Sequence, residues 1–310
     1  MKRVIIAIIL TAMALIIMHT AVYAKHGKCF TGAFIADRPT KEKIAEFRKA
    51  YGKKPYFVLI FFDWESFPEK AVLNDIFSSG CVPVITLEPW YANSETGIKY
   101  DSLLKGGYDE YLDEFAKKIS GFNKPVYLRF AHEMNGDWYP WSGSKIAPRK
   151  YIDIYRYVKD FFDKKGLNNV KWIFSINWES VPSARSNYFM NYYPGDDYVD
   201  YIGLDGYNWG NTKPWSRWMS FKEIFEKSYN EITRSLDKPV IITEFGCADK
   251  GGDKSGWIRE AMGDIKKLPN IKGFILFNVN KEANWKFSIH NDGGRELKKQ
   301  FEDPYFKDKE

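Results

Sequence analysis

The sequence contains few of the residues that bind metals or form cross-links. Its 310 residues include three cysteines and four histidines. Cys29, Cys81 and Cys247 do not have the spacing of a metal site, and an odd number of cysteines permits one disulfide at most, whose partners the sequence leaves open. The sequence also has no convincing metal-binding group of His, Asp and Glu. We therefore expect neither a metal nor another cofactor.

Other organising features are missing as well. The sequence has no internal repeat and no low-complexity linker, which indicates one domain. No glycine-rich phosphate loop follows the first predicted strand, and this argues against an open doubly wound sheet. The formal net charge is +6, but basic residues are interspersed with acidic ones, as on solvated helix faces. This pattern lacks the basic stripe of a nucleic-acid-binding protein, so no nucleic-acid partner is expected.

One long apolar run is present, at the N-terminus. Lys2 and Arg3 precede apolar residues 4–18, and small residues around Ala24 offer a cleavage site. These features predict a signal peptide over residues 1–24 and a secreted mature chain over residues 25–310, without membrane association after cleavage. The run is short for a membrane span. An uncleaved anchor, which would leave a cell-surface structural protein, is the alternative.

Apolar runs alternate with amphipathic stretches along the rest of the chain. The predicted helices cover residues 40–51, 69–79, 107–120, 148–164, 220–236, 255–268 and 292–302. The predicted strands cover residues 30–35, 56–62, 82–87, 126–130, 170–176, 199–204, 239–243 and 271–277. These strands are apolar throughout, as expected when both faces of a parallel sheet are buried. The pattern predicts an α/β fold, a single (β/α)8 TIM barrel.

Two of the predicted strands are followed by a glutamate. Residues 126–130 lead into His132-Glu133-Met134-Asn135-Gly136, and residues 239–243 lead into Glu244-Phe245-Gly246. Because the carboxyl ends of barrel strands share one face, Glu133 and Glu244 can lie across one cleft. Glycoside hydrolysis requires two carboxyl groups. Spacing alone does not say which is the acid, and structural ion pairs are the alternative interpretation.

Further polar and aromatic residues follow other predicted strands. Aromatic residues make up 17% of the chain, which suits a sugar-binding cleft or a large aromatic core. Trp178 and Asp205 follow the fifth and sixth predicted strands and are candidate substrate-binding residues. Asp63 and Glu88 occupy similar positions, and we interpret them as structural or peripheral.

From about residue 29 to residue 302 the chain resembles glycoside hydrolase family 26. The resemblance is carried by residues 132–136, with the sequence HEMNG, and by residues 243–246, with the sequence TEFG. It implies retaining endo-hydrolysis of β-linked polysaccharides, chiefly β-1,4-mannans, although some members cut mixed-linkage β-glucan or β-1,3-xylan. It implies that Glu133 is the general acid/base and Glu244 the nucleophile. His132 would orient the polar network, and Tyr207 would form a hydrogen bond with the nucleophile. The implied sugar platforms are Trp90, Trp138 and Trp285.

One segment departs from the family pattern. Family mannanases often carry Trp-Phe-Trp-Trp after the first motif, whereas this chain has Trp138-Tyr139-Pro140-Trp141, a form nearer to members that act on β-glucans. We predict a monomeric enzyme with a polysaccharide substrate, most simply β-1,4-mannan. The alternatives are an endo-β-1,3-1,4-glucanase and a catalytically inactive carbohydrate-binding barrel.

Overall fold

The computed structural model describes residues 28–122 and 124–310. The predicted signal peptide lies outside these residues. Within them, no helix is both long enough and apolar enough to cross a membrane.

Eight parallel strands form a closed barrel. They are β1 (Cys29–Phe34), β2 (Phe57–Phe62), β3 (Val82–Leu87), β4 (Val126–Phe130), β5 (Val170–Asn177), β6 (Tyr201–Asn208), β7 (Val240–Cys247) and β8 (Ile271–Phe277). Each strand pairs with the next, and β8 pairs with β1 through Gly32 and Ile275, which closes the sheet. The predicted (β/α)8 barrel is thus confirmed.

Helices follow the strands around the outside of the barrel. They are α1 (Lys41–Tyr51), α2 (Lys70–Ser78), α3 (Tyr100–Leu103), α4 (Asp109–Ile119), α5 (Pro148–Lys164), α6 (Phe221–Ser235), α7 (Lys254–Ile265) and α8 (Asp292–Phe301). The Thr40 hydroxyl accepts a hydrogen bond from the Lys43 N–H and caps α1. Ser220 and Glu223 form a reciprocal capping box at the start of α6.

Two strands continue beyond their predicted ends. β6 reaches Asn208 and β7 reaches Cys247, whereas the apolar runs end at residues 204 and 243. Asp205 and Glu244 lie inside these strands, although a polar residue after an apolar run indicates a strand end. Their side chains are buried but hydrogen bonded, so the ladder continues through them. The short elements that were not predicted include helix α3, the antiparallel ribbon Trp90–Tyr91 with Thr96–Gly97 and the strand Phe306–Lys307 beside β1.

The apolar core has two parts. The larger part lies between the barrel and the helices, and it includes Leu73, Phe115 and Ile232. The smaller part fills the barrel interior with residues such as Leu59 and Ile173. A filled interior leaves the carboxyl ends of the strands as the face where a site can form.

β7 carries one extra residue relative to both neighbouring strands. Between Gly203 and Asp205 the chain of β6 advances by two residues while β7 advances from Ile241 to Glu244, and β8 shows the same offset. Such a β-bulge bends the strand and redirects its side chains. Here the bulge comes immediately before Glu244.

Candidate active site

Arg129 lies at the centre of the polar residues at the carboxyl ends of the strands. It comes from β4 and is fully buried. Its Nε donates to Thr86 Oγ1 on β3 at 2.9 Å, its Nη1 to Asp205 Oδ2 on β6 at 2.9 Å, and its Nη2 to Glu244 Oε1 on β7. One guanidinium therefore links four strands, and its planar fork is suited to holding two carboxylates.

Asp205 is the second centre of this network. Its Oδ2 also accepts from Ser175 Oγ at 2.9 Å, and its Oδ1 accepts from Thr243 Oγ1 at 2.6 Å. The side chain has no exposed surface. Asp205 was expected to bind substrate, but its burial excludes direct contact with a sugar. Its contacts instead hold Arg129 in place, which makes it a positioning residue.

The backbone around Glu133 adopts an unusual conformation. Ala131 and Glu133 have φ angles of 47° and 53°, in the left-handed region that residues other than glycine rarely adopt. The Ala131 N–H donates to Leu87 O at 3.0 Å, and the Glu133 N–H donates to Ser175 O at 2.9 Å. Contacts with β3 and β5 thus hold this segment against its local preference, a kind of strain that clusters at functional sites.

The Glu133 carboxyl group is held in a buried position near other acids. Trp138 Nε1 donates to its Oε2 at 2.9 Å. Burial raises the pKa of Glu133 well above its ordinary value, and the negative charges of Asp205 and Glu244 raise it further. A carboxyl group with a raised pKa keeps its proton near neutral pH, as a general acid must.

The Glu244 carboxylate is surrounded by donors. Arg129 donates to Oε1 and the Tyr207 hydroxyl donates to Oε2. Both carboxylate oxygens therefore have a hydrogen-bond donor that fixes their position. Burial raises the pKa of Tyr207 well above its ordinary value, so the phenol keeps the proton it donates.

His132 and Glu88 extend the site towards β3. His132 Nε2 lies 3.1 Å from the Tyr139 hydroxyl and 3.9 Å from Glu244 Oε1, while His132 Nδ1 lies 4.0 Å from Glu88 Oε1. Burial lowers the pKa of His132 well below its ordinary value, so its ring is neutral. Glu88 was interpreted as structural or peripheral, but its contact with His132 brings it into the site.

Two of the predicted sugar platforms have accessible rings beside these groups. Trp138 is 45% exposed, and its indole nitrogen contacts Glu133. Trp90 is half-buried, donates to Glu88 Oε2 at 3.1 Å and packs edge-on against Tyr139. An indole fixed by its N–H with part of its ring in solvent can stack on the apolar face of a sugar.

Trp285 and Trp178 differ from expectation. Trp285 is only 1% exposed and packs against Tyr207 and Trp209 at centroid distances of 4.7 Å. Its ring supports Tyr207 and exposes no face to a sugar. The prediction that Trp285 is a sugar platform is therefore wrong. Trp178 lines a cavity of about 450 Å³ between the loop after β5 and α6, and neither Glu133 nor Glu244 lines that cavity.

Sequence reasoning missed an aromatic strip after β6. Trp209 packs against Trp215 at a centroid distance of 5.4 Å, and Trp215 is 71% exposed. The ring centroid of Tyr207 lies 6.2 Å from that of Trp209. The strip therefore leads from the residue bonded to Glu244 to an exposed indole. Trp209 could have been found because it follows a predicted barrel strand. Nothing in the sequence pattern distinguished Trp215.

Together these residues form a pair of buried carboxyl groups with different surroundings. Glu133 has a raised pKa and one indole donor, whereas Glu244 accepts from a guanidinium and a phenol. Two neighbouring carboxyl groups in such different surroundings are suited to separate acid and nucleophile roles. Among the residues described, no three His, Cys, Asp or Glu side chains are grouped to hold a metal ion.

Residues 82–272 match the family model described as glycosyl hydrolase family 26. Endoglucanase H of Acetivibrio thermocellus is 35% identical over 265 residues, which cover 83% of this chain and 28% of that protein. A mannan endo-1,4-beta-mannosidase of Bacillus subtilis strain 168 is 32% identical over 179 residues, which cover 52% of this chain and 42% of that protein. The chain thus spans less than half the length of these curated relatives.

Solved structures share the fold. A GH26 β-mannanase from Bacteroides ovatus superposes with a TM-score of 0.71 at 18% identity, over 92% of this chain and 91% of that one. The mannanase man26 of Bacillus subtilis superposes with a TM-score of 0.68 at 22% identity, over 91% and 86% of the two chains. These likenesses concern the barrel. The family model covers more than half of the sequence, including both glutamates and the residues that hold them. The chain belongs to glycosyl hydrolase family 26.

Proposed function

We propose that this chain is a retaining endo-β-glycosidase that hydrolyses a β-1,4-linked polysaccharide. The observation that carries the proposal is the contrast between the two carboxyl groups. Glu133 is buried and has a raised pKa, whereas Glu244 accepts from Arg129 and Tyr207. Two carboxyl groups with these properties are what a retaining glycosidase uses.

In the proposed reaction Glu244 attacks the anomeric carbon while Glu133 protonates the leaving oxygen. A covalent glycosyl-enzyme forms, and Glu133 then acts as a base and removes a proton from the water that hydrolyses it. Tyr207 and Arg129 hold the nucleophile in position by donating to its two oxygens, and His132 joins the Tyr139 hydroxyl to this network. Trp138 and Trp90 offer partly exposed rings for the sugars on either side of the bond.

Two substrates are favoured by different observations. The mannan endo-1,4-beta-mannosidases among the relatives favour β-mannan. The relative called Endoglucanase H is similar over a larger share of this chain, 83%, and favours a β-glucan, as does Tyr139-Pro140 in place of Phe-Trp in the family mannanase pattern. We therefore propose endo-β-1,3-1,4-glucanase activity as the second candidate function. A barrel that binds glycans without cutting them is the third.

The test is reducing-sugar release from galactomannan, glucomannan, barley β-glucan, lichenan and xylan. The wild type is run beside Glu133→Gln, Glu244→Gln and the control Glu65→Gln, an exposed glutamate after β2. We expect one polymer to be cut, losses of at least about 10²–10⁴-fold in the first two variants and no loss in the control. Cleavage of galactomannan would identify a mannanase. Cleavage of barley glucan and lichenan alone would identify a mixed-linkage glucanase.

A second substrate separates the two roles. Dinitrophenolate, the leaving group of a dinitrophenyl glycoside, departs without being protonated. Glu133→Gln should therefore still form the glycosyl-enzyme from this substrate, whereas Glu244→Gln should not. Retention is checked by nuclear magnetic resonance of the first-formed product, whose anomer must match the substrate. A folded wild type that cuts nothing would overturn the proposal and favour the binding barrel.

We further propose secretion, with cleavage after Ala24, and a monomeric enzyme free of the membrane. The basic and apolar pattern of residues 1–24 supports this. Mass spectrometry of the protein from culture supernatant and its elution volume in gel filtration test these points. A cell-bound protein with residues 1–24 intact would contradict them.

A further inference from the structure

His132 has one ring nitrogen without a protein partner. The residue is 1% exposed, and its Nδ1 forms no hydrogen bond within residues 28–122 and 124–310. Its other nitrogen, Nε2, lies 3.1 Å from the Tyr139 hydroxyl. If the phenol donates its proton to Nε2 of the neutral ring, then Nδ1 carries the ring hydrogen. A buried N–H without an acceptor costs about 1–3 kcal/mol, so a partner at this point would be stabilising.

Glu88 presents an acceptor to the same point. Its Oε2 accepts from Trp90 Nε1 at 3.1 Å, which fixes the carboxylate, and its Oε1 lies 4.0 Å from His132 Nδ1. That separation is too long for a direct hydrogen bond. One oxygen atom, however, can lie about 2.8 Å from both atoms at once. A hydroxyl group has the matching chemistry because it donates one hydrogen bond and accepts another.

Both groups lie beside the catalytic residues. His132 follows β4 immediately before Glu133, and its Nε2 lies 3.9 Å from Glu244 Oε1. The half-buried ring of Trp90, whose Nε1 donates to Glu88 Oε2, can stack on a sugar ring beside them.

We propose that Glu88 and His132 Nδ1 together bind one hydroxyl group of the glycan, on a sugar ring next to the scissile bond. The hydroxyl donates to Glu88 Oε1 and accepts from His132 Nδ1–H. Glu88 is then a specificity-determining residue, because a sugar that directs this hydroxyl elsewhere leaves both groups unpaired. The inference rests on the proposed function and extends it to the recognition of a single substrate group.

The experiment is a double-mutant cycle between the protein and the substrate. An aryl oligosaccharide built from the sugar that the wild type cuts is compared with analogues that each lack one ring hydroxyl. For one analogue the wild type should lose about 10–100-fold in kcat/KM. Glu88→Ala should lose a similar factor with the intact substrate. It should lose no more than about twofold further with that analogue, since the interaction is already gone.

The matched control is Glu65→Ala, which removes an exposed carboxylate after β2 and should keep the full sensitivity of the wild type. If Glu88→Ala does not fold, the cycle uses Glu88→Leu, whose side chain fills a similar space but offers no hydrogen-bond acceptor. A Glu88 variant that keeps the wild-type sensitivity to every missing hydroxyl would overturn the inference while leaving the proposed function intact. A folded wild type that cuts no glycan would overturn both.

Discussion

Tyr207 supplies one of the two donors to the proposed nucleophile. Its hydroxyl donates to Glu244 Oε2, and its ring is supported by Trp285 at a centroid distance of 4.7 Å. Removing the hydroxyl in Tyr207→Phe should lower kcat by about 10–100-fold, because a hydrogen bond to a charged group is lost. KM should change less than kcat.

Steady-state kinetics on the polymer that the wild type cuts would measure this split. The control is Tyr193→Phe, which removes the 2.7 Å hydrogen bond to Asp196 on the surface and should leave kcat unchanged. An unchanged kcat in Tyr207→Phe would remove this hydroxyl from the mechanism.

The raised pKa of Glu133 also affects stability. Burial, with the charges of Asp205 and Glu244, makes the folded chain bind this proton more tightly than the unfolded chain does. As pH rises from the ordinary pKa of a glutamate to the raised one, the folded state holds more protons than the unfolded state, so its stability falls. Glu133→Gln lacks this charge and should gain Tm over the wild type as pH rises.

Thermal unfolding from about pH 4 to pH 9 tests this prediction, with about 2–4 °C expected for each kcal/mol. The alkaline loss of wild-type kcat/KM should occur over the range in which Glu133 loses its proton, because the acid is then absent. A difference in Tm that shrinks as pH rises would show that the sign is wrong.

At the scale of the secondary-structure elements, Arg129 is the connection between strands that are distant in sequence. It reaches from β4 to Thr86 on β3, Asp205 on β6 and Glu244 on β7. Arg129→Met leaves two buried carboxylates without their counter-ion and should cost about 3–5 kcal/mol. Arg129→Lys keeps a charge but not the fork, so we expect an intermediate loss.

Urea unfolding would measure both changes. Arg149→Met is the matched control, because Arg149 forms an exposed 3.1 Å pair with Asp153 on α5 and should contribute less than about 0.5 kcal/mol. Equal losses in Arg129→Met and Arg149→Met would mean that the network does not stabilise the barrel.

The same elements show how far the sequence alone could lead. The eight strands and most helix ends were predictable because buried parallel strands are apolar runs and helix caps such as Thr40 are local signals. The bulge before Glu244 was not, since it depends on register with two neighbouring strands. Nor was the burial of Trp285, because a tryptophan in a loop has the same sequence signature whether it faces solvent or packs on Tyr207.

Charged residues showed a similar limit. Glu133 and Glu244 stood out because each follows an apolar run. Arg129 lies inside such a run, and only its three partners from other strands explain its charge there. Glu88 follows a strand as Asp63 does, and only the distance to His132 separates their roles.

At the scale of the whole molecule, closure of the barrel depends on Gly32 in β1. A Cβ atom at this position would lie 2.7 Å from Phe274 O, 2.9 Å from Ile275 Cγ1 and 2.9 Å from Phe57 Cβ. Gly32→Ala would therefore press β1 away from both β2 and β8, and we expect a loss of about 1–3 kcal/mol or more.

The control for this prediction lies in α7. A Cβ atom at Gly263 meets nothing within 4 Å, so Gly263→Ala should stabilise the protein by about 0.4–1 kcal/mol. Thermal unfolding of the two variants should move in opposite directions. A neutral Gly32→Ala would show that the barrel can widen between β1 and its neighbours.

The three cysteines can report local unfolding in three parts of the barrel. Cys29, Cys81 and Cys247 are buried and unbridged, in β1, before β3 and at the end of β7. Burial raises the pKa of Cys81 to about 11 and that of Cys247 to about 12, so the reactive thiolate is scarce. Alkylation should therefore proceed only as fast as each region unfolds. Mass spectrometry at successive times would measure the alkylation rate of each cysteine. Three different rates would give the order in which parts of the barrel unfold, and one shared rate would mean that it unfolds as a single unit.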